Sequence, residues 1–201
     1  KYGQALTNIV YMGMGEPLLN YANVLKSIEQ ITSPEGLGMS PRRITVSTAG
    51  IAKMIQKLGD DQVKFNLALS LHAANDTKRN QIMPINESNT LQALKAALLY
   101  FFEKTGNEIT LEYIVFNKFN DTIEDARELY EFAKGIPCKI NLIEYNPIAQ
   151  SSFVNAEADA IAKFSAFLES KRMIVNIRRS RGRDIDAACG QLAGKKAPAD
   201  A

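Results

Sequence analysis

Short apolar, β-branched runs alternate with amphipathic stretches along the whole chain. Runs near Ile9 to Met12, Arg43 to Ser47, Lys64 to Ser70, Glu108 to Phe116, Cys138 to Tyr145 and Met173 to Arg178 predict six strands. Between them apolar positions recur at helical spacing. Leu91, Leu94, Leu98 and Phe101 predict a helix started by Asn89, with Gln92 three positions further on. Ala126, Leu129, Tyr130 and Ala133 predict another after Asp121 and its partner Glu124, and Ile161, Phe164 and Leu168 a third. Asn20 to Ile31 and Ala49 to Leu58 predict shorter helices. Thr32 to Pro41, with two glycines and two prolines, predicts a loop.

Strand followed by helix, repeated, predicts an α/β fold with a parallel sheet, and right-handed crossovers would curl that sheet into a barrel or part of one. In such folds the carboxyl ends of the strands carry the chemistry. Here those ends share a character. The first strand runs into Gly13-Met14-Gly15-Glu16-Pro17, the second into Ser47-Thr48-Ala49-Gly50, the third into Ser70-Leu71-His72 and the fifth into Glu144-Tyr145-Asn146-Pro147. Small and polar residues therefore collect at one rim. Glycines at a strand end let a ligand approach the backbone, and an acidic side chain there can grip an amine or a ribose.

The 201 residues suffice for one sizeable core, so residues 1–201 are expected to form a single domain. With 46% hydrophobic and 23% charged residues, and no apolar stretch near the roughly 20 residues of a membrane span, no membrane partner is expected. The first residues lack the basic region and apolar run of a secretory signal, so a cytoplasmic location is expected. The chain also starts without Met and is expected to be a piece of something longer. Its two cysteines, Cys138 and Cys189, stand in unlike contexts and read as independent thiols; Cys138, opening an apolar strand, reads as a packed residue. The net charge of +2 does not by itself argue for nucleic acid, yet Lys171 to Arg183 holds six basic residues and no acidic one. A single histidine leaves no His and carboxylate ligand set, which argues against a barrel enzyme that uses a metal or a phosphorylated substrate.

Read singly, these features have plainer meanings. Gly13 to Pro17 could be a turn and a capped helix start, Ser47 and Ser70 could cap the helices that follow, and His72 could be structural. Read together, Gly13-Met14-Gly15-Glu16-Pro17-Leu18-Leu19-Asn20, Ser47-Thr48-Ala49-Gly50, Ser70-Leu71-His72-Ala73 and Asp184-Ile185-Asp186-Ala187-Ala188-Cys189-Gly190-Gln191-Leu192 resemble the RlmN/Cfr family of radical S-adenosylmethionine RNA methyltransferases, on the RlmN side. The resemblance implies a partial (β/α)6 barrel and methylation of adenine C2 in large-subunit ribosomal RNA and some transfer RNAs. It implies that Gly15 and Glu16 bind the methionine amino group of S-adenosylmethionine and that Ser47, Ser70, Leu71, His72 and Asn146 make further cofactor contacts. It also implies that Cys189 receives a methyl group, whose carbon reaches the base after a second cofactor molecule yields a radical. An electron donor would be required. The cluster Arg178 to Arg183 is a candidate for RNA phosphates.

The family holds its [4Fe-4S] cluster with three cysteines spaced C-x3-C-x2-C after the first barrel strand, and this chain has no such motif. It is expected to begin after that loop, to lack the first barrel strand and the cluster ligands, and to be inactive alone, because three thiolates are needed to leave one iron open. No residue of this chain is expected to bind metal. A monomer is expected, and the alternative reading is a non-catalytic domain that binds RNA or a partner.

Overall fold

The computed structural model of the protein describes residues 6–147 and 152–178. Six strands, β1 (Ile9–Tyr11), β2 (Ile44–Thr48), β3 (Asn66–Ser70), β4 (Ile109–Val115), β5 (Cys138–Glu144) and β6 (Ile174–Arg178), lie side by side in chain order and all pair in parallel. The connecting helices are α1 (Tyr21–Thr32), α2 (Ala52–Asp60), α3 (Asp76–Ile82), α4 (Leu91–Thr105), α5 (Ile123–Ala133) and α6 (Ala158–Ser170). Each crossover advances one strand in the same direction. With right-handed crossovers, that winding puts every helix on one side and curls the sheet around the other, the architecture of a partial barrel. All six predicted strands are present.

Strand alternation gives the sheet two unlike faces. Ile44, Val46, Leu67, Leu69, Ile109, Leu111, Val115, Ile140 and Leu142 are buried and join Ile55, Leu58, Leu94, Leu98, Phe101, Leu129 and Phe164 in the core beneath the helices. One step out of phase a polar line crosses the sheet: Ser70 pairs in register with Glu112, Glu112 with Asn141, and Asn141 with Asn176, with Ile114 and Ile143 further along the same face. The open face of the sheet therefore offers polar as well as apolar contacts.

Several boundaries differ from the sequence reading. Helix α4 is capped by Thr90, whose hydroxyl accepts from the Ala93 N–H at 3.4 Å; Asn89 instead accepts from the Ala52 N–H at 2.9 Å and ties the start of α2 to the α4 loop. The cap of helix α5 lies one residue past Asp121, at Thr122, which forms a reciprocal capping box with Asp125. Helix α2 starts at Ala52 rather than Ala49, because Gly50 takes φ 105° and Ile51 is extended. Helix α3 was not predicted: its sequence is nearly all polar, and its start is fixed by Asn75, which accepts from the Lys78 N–H at 3.2 Å.

Candidate functional site

A cavity of about 490 Å³ opens at the carboxyl ends of the strands. Its first wall is the segment after β1. Gly15 at φ 89° turns the chain back, and Pro17 opens a short 3₁₀ helix, Pro17–Asn20. Glu16 caps that helix and lines the cavity, so the two sequence readings of this motif describe one residue. Its Oε1 accepts from the Leu18 N–H at 3.0 Å and its Oε2 from the Ala49 N–H, beyond β2, at 2.6 Å. Each oxygen thus spends one lone pair on the backbone and keeps one for a ligand. The carboxylate is held in place and still able to accept an ammonium group.

Ser47 and Ser70 face one another across β2 and β3 with their hydroxyls 3.5 Å apart. Neither caps a helix, since α2 and α3 are entered at Ile51 and Asn75. His72 follows at φ 56°, and its Nδ1 accepts from the Ile114 N–H at 3.1 Å. That bond leaves the ring proton on Nε2. Burial, reinforced by the charge of Arg79, pushes the imidazole down to about 4, so the ring is neutral near pH 7 and offers an N–H donor. Asn120 locks the turn, donating to the carbonyls of His72 at 2.7 Å and Ile114 at 2.8 Å while accepting from the Phe116 N–H at 2.7 Å.

Gly15, Glu16, Ser47, Ser70, His72 and Asn146 all line this one cavity. Leu71 does not. Its side chain is fully buried in the core, and its backbone N–H donates to the Glu112 carbonyl at 2.9 Å. Cys189, with Arg179, Arg181 and Arg183, lies outside the described residues.

Sequence reasoning missed the far wall. Glu112, only 3% exposed, accepts from Asn141 Nδ2 at 2.9 Å and from Arg178 Nη1 at 3.2 Å, and both Glu112 and Arg178 line the cavity. Arg178, grouped by sequence with the basic run, is thus paired inside the site. The signal was present: a carboxylate in the middle of Thr110-Leu111-Glu112-Tyr113-Ile114 interrupts a buried strand. Tyr145 also lines the cavity, and its buried hydroxyl has no hydrogen-bond partner among the described residues.

Among the described residues no group of three or more His, Cys, Asp or Glu side chains could hold a metal. Cys138 is half-buried against the core, and burial, partly offset by Lys95, pushes its thiol up to about 12. It is inert packing. The described part of the site suits a ligand with an amino group at one end and hydroxyls or ring nitrogens elsewhere. No helix among the described residues is long and apolar enough to cross a membrane.

No family model matches the chain. It is 66% identical over 195 residues to a protein of Cytophaga hutchinsonii named probable dual-specificity RNA methyltransferase RlmN, covering 97% of this chain and 53% of that protein. It is 42% identical over 189 residues to the dual-specificity RNA methyltransferase RlmN of Nautilia profundicola, covering 94% of this chain and 53% of that protein. The chain spans about half the length of these curated relatives. A crystal structure of a radical SAM methyltransferase from Sphaerobacter thermophilus superposes with TM-score 0.91 at 38% identity, covering 94% of this chain and 55% of that one. A domain of a pyruvate-formate lyase-activating enzyme from Bacteroides vulgatus shares the fold, with TM-score 0.65 at 14% identity, covering 85% of this chain and 98% of that domain.

Proposed function

The chain is homologous along nearly its whole length to the RlmN dual-specificity RNA methyltransferases, and on that premise we propose that it is the cofactor-holding part of a radical S-adenosylmethionine enzyme that methylates adenine C2 in large-subunit ribosomal RNA and in transfer RNA. The observation that carries this reading is Glu16, fixed by two backbone donors at the mouth of a cavity that Ser47, Ser70, His72 and Asn146 also line. S-adenosylmethionine fits that donor set. Its ammonium matches the free lone pairs of Glu16, its ribose hydroxyls and ring nitrogens match the serine hydroxyls, the His72 N–H and Asn146, and the backbone at Gly15 lets it come close.

When bound, S-adenosylmethionine supplies the methyl group and the radical chemistry that an unreactive C2 position demands. The residues of this chain orient it. Glu16 holds the amino group, the neutral His72 donates without titrating, and the paired Glu112 and Arg178 close the far wall. Cys189, as a soft nucleophile, takes the methyl group before its transfer to the base. An iron–sulfur cluster does not fit the described residues, which hold no group of side chains able to bind a metal; on this reading its ligands come from sequence other than this chain, and the chain alone is inactive. The complete protein works in the cytoplasm as a monomer, with an electron donor.

The test uses the complete protein reconstituted anaerobically with iron and sulfide. Glu16→Gln keeps the size of the side chain and removes its charge, and should weaken S-adenosylmethionine binding about tenfold or more, read by equilibrium dialysis. Cys189→Ala should retain that binding and lose methyl transfer to RNA, read by mass spectrometry of the nucleosides. Cofactor binding indifferent to Glu16→Gln would sink the reading.

A further inference from the structure

Arg79 stands apart from everything the cavity explains. It belongs to α3, the nearly all-polar helix, yet its side chain is fully buried. Four hydrogen bonds use its fork: Nε donates to the Leu71 carbonyl at 3.0 Å, Nη2 to the Ala49 carbonyl at 2.7 Å and the Ser70 carbonyl at 3.1 Å, and Nη1 to Asn86 Oδ1 at 2.7 Å. Among the described residues no carboxylate pairs with it directly. Asp76 is reached at one remove, through Asn86 Nδ2 at 2.8 Å. Burying a guanidinium without a direct counter-ion is costly, and burial accordingly lowers its proton affinity. A fold keeps such a group where its geometry cannot be supplied more cheaply.

That geometry is specific. Ala49 and Ser70 both line the cavity, Leu71 precedes His72, and Ala49 is also the residue whose N–H holds Glu16. One planar cation thus grips the two strand ends that carry most of the predicted cofactor contacts, and through Ala49 it is linked to the loop that carries Glu16. Resting on the cofactor reading above, we infer that Arg79 is the positioning residue of the S-adenosylmethionine site: it sets the spacing between the ends of β2 and β3 and never touches the ligand. A lysine keeps the charge but has one nitrogen and no fork, so it cannot span three carbonyls and Asn86.

The deciding experiment measures S-adenosylmethionine affinity by equilibrium dialysis on the complete protein, at a temperature where circular dichroism shows each variant fully folded. Under that condition a loss of global stability leaves affinity unchanged, so a change reports the shape of the site. Arg79→Lys should bind about tenfold more weakly, while Ile55→Val, a core truncation that does not line the cavity, should bind like the wild type. Wild-type affinity in folded Arg79→Lys overturns the inference. If Arg79→Lys fails to fold, Asn86→Ala decides, since it removes the anchor of Nη1 together with the link to Asp76 and leaves the three carbonyl bonds of Arg79 in place. A severalfold weakening supports the inference and an unchanged affinity overturns it. If the wild type itself does not bind, the cofactor reading fails first, and the two failures are told apart by which protein shows them.

Discussion

His72 shows how far one side chain can be constrained by its neighbours. Its positive φ fixes the backbone, while its burial, the charge of Arg79 and its acceptor bond from Ile114 favour the neutral ring. The folded histidine binds a proton only below about pH 4, the unfolded one below its ordinary 6.5. Between these values the unfolded chain holds the extra proton, so stability is full above pH 6.5, falls as pH drops through the window and levels off near 4. The loss amounts to about 3 kcal/mol at most. Thermal melts from pH 7.5 to 4 should show this slope, and His72→Asn, which tolerates positive φ and does not titrate, should flatten it. Cys138, with its thiol pushed up to about 12, should remain unmodified by iodoacetamide at pH 8 in the native protein, as read by peptide mapping. The residues now lining the cavity were legible where they follow directly on an apolar run, as Glu16, Ser47, Ser70, His72 and Asn146 do. Arg79 was not, because a buried cation in Asp76-Thr77-Lys78-Arg79 looks like any solvated charge until the carbonyls around it are seen.

At the level of elements, the joints between strand and helix decide whether those residues converge. Gly50 joins β2 to α2 at φ 105°, and a Cβ there would lie 3.1 Å from the methyls of both Leu69 and Leu94. Gly50→Ala therefore combines backbone strain with overpacking and should cost about 2 kcal/mol or more in urea unfolding. Gly106, at φ 64° past the end of α4, has open space around its Cβ position, and Gly106→Ala should cost only about 1 kcal/mol. The six strands were legible because period-two and continuous apolar runs survive in any tertiary context. Caps were less so. Asn89 and Thr90, like Asp121 and Thr122, are adjacent residues that can each cap, and only the fold decides: Asn89 is drawn away to α2 and leaves Thr90 to α4. Helix α3 has no apolar stripe to read, since it is held by the hydrogen bonds of Asn75 and Arg79.

The sheet has, among the described residues, one face covered by helices and two open edges. Among the described residues β1 pairs only with β2 and β6 only with β5. Beside β1 three large apolar side chains are exposed, Val10 at 57%, Met14 at 67% and Leu19 at 78%, and on β6 Ile174 is 65% exposed. Such an edge is a template for another strand, and native sheets normally blunt it with charge or cover it. The curated relatives are about twice this length, and in a chain of that size covering the edge with further chain is the economical solution. The 201-residue chain studied alone should then associate, because a second copy can offer the strand that β1 lacks. Sedimentation over a range of concentrations should show a monomer giving way to larger species. Val10→Lys, which places a charge on the edge without entering the core, should shift that equilibrium back toward monomer while the helical signal stays unchanged. Association that survives Val10→Lys undiminished would move the sticky surface to β6, where Ile174→Lys becomes the deciding variant.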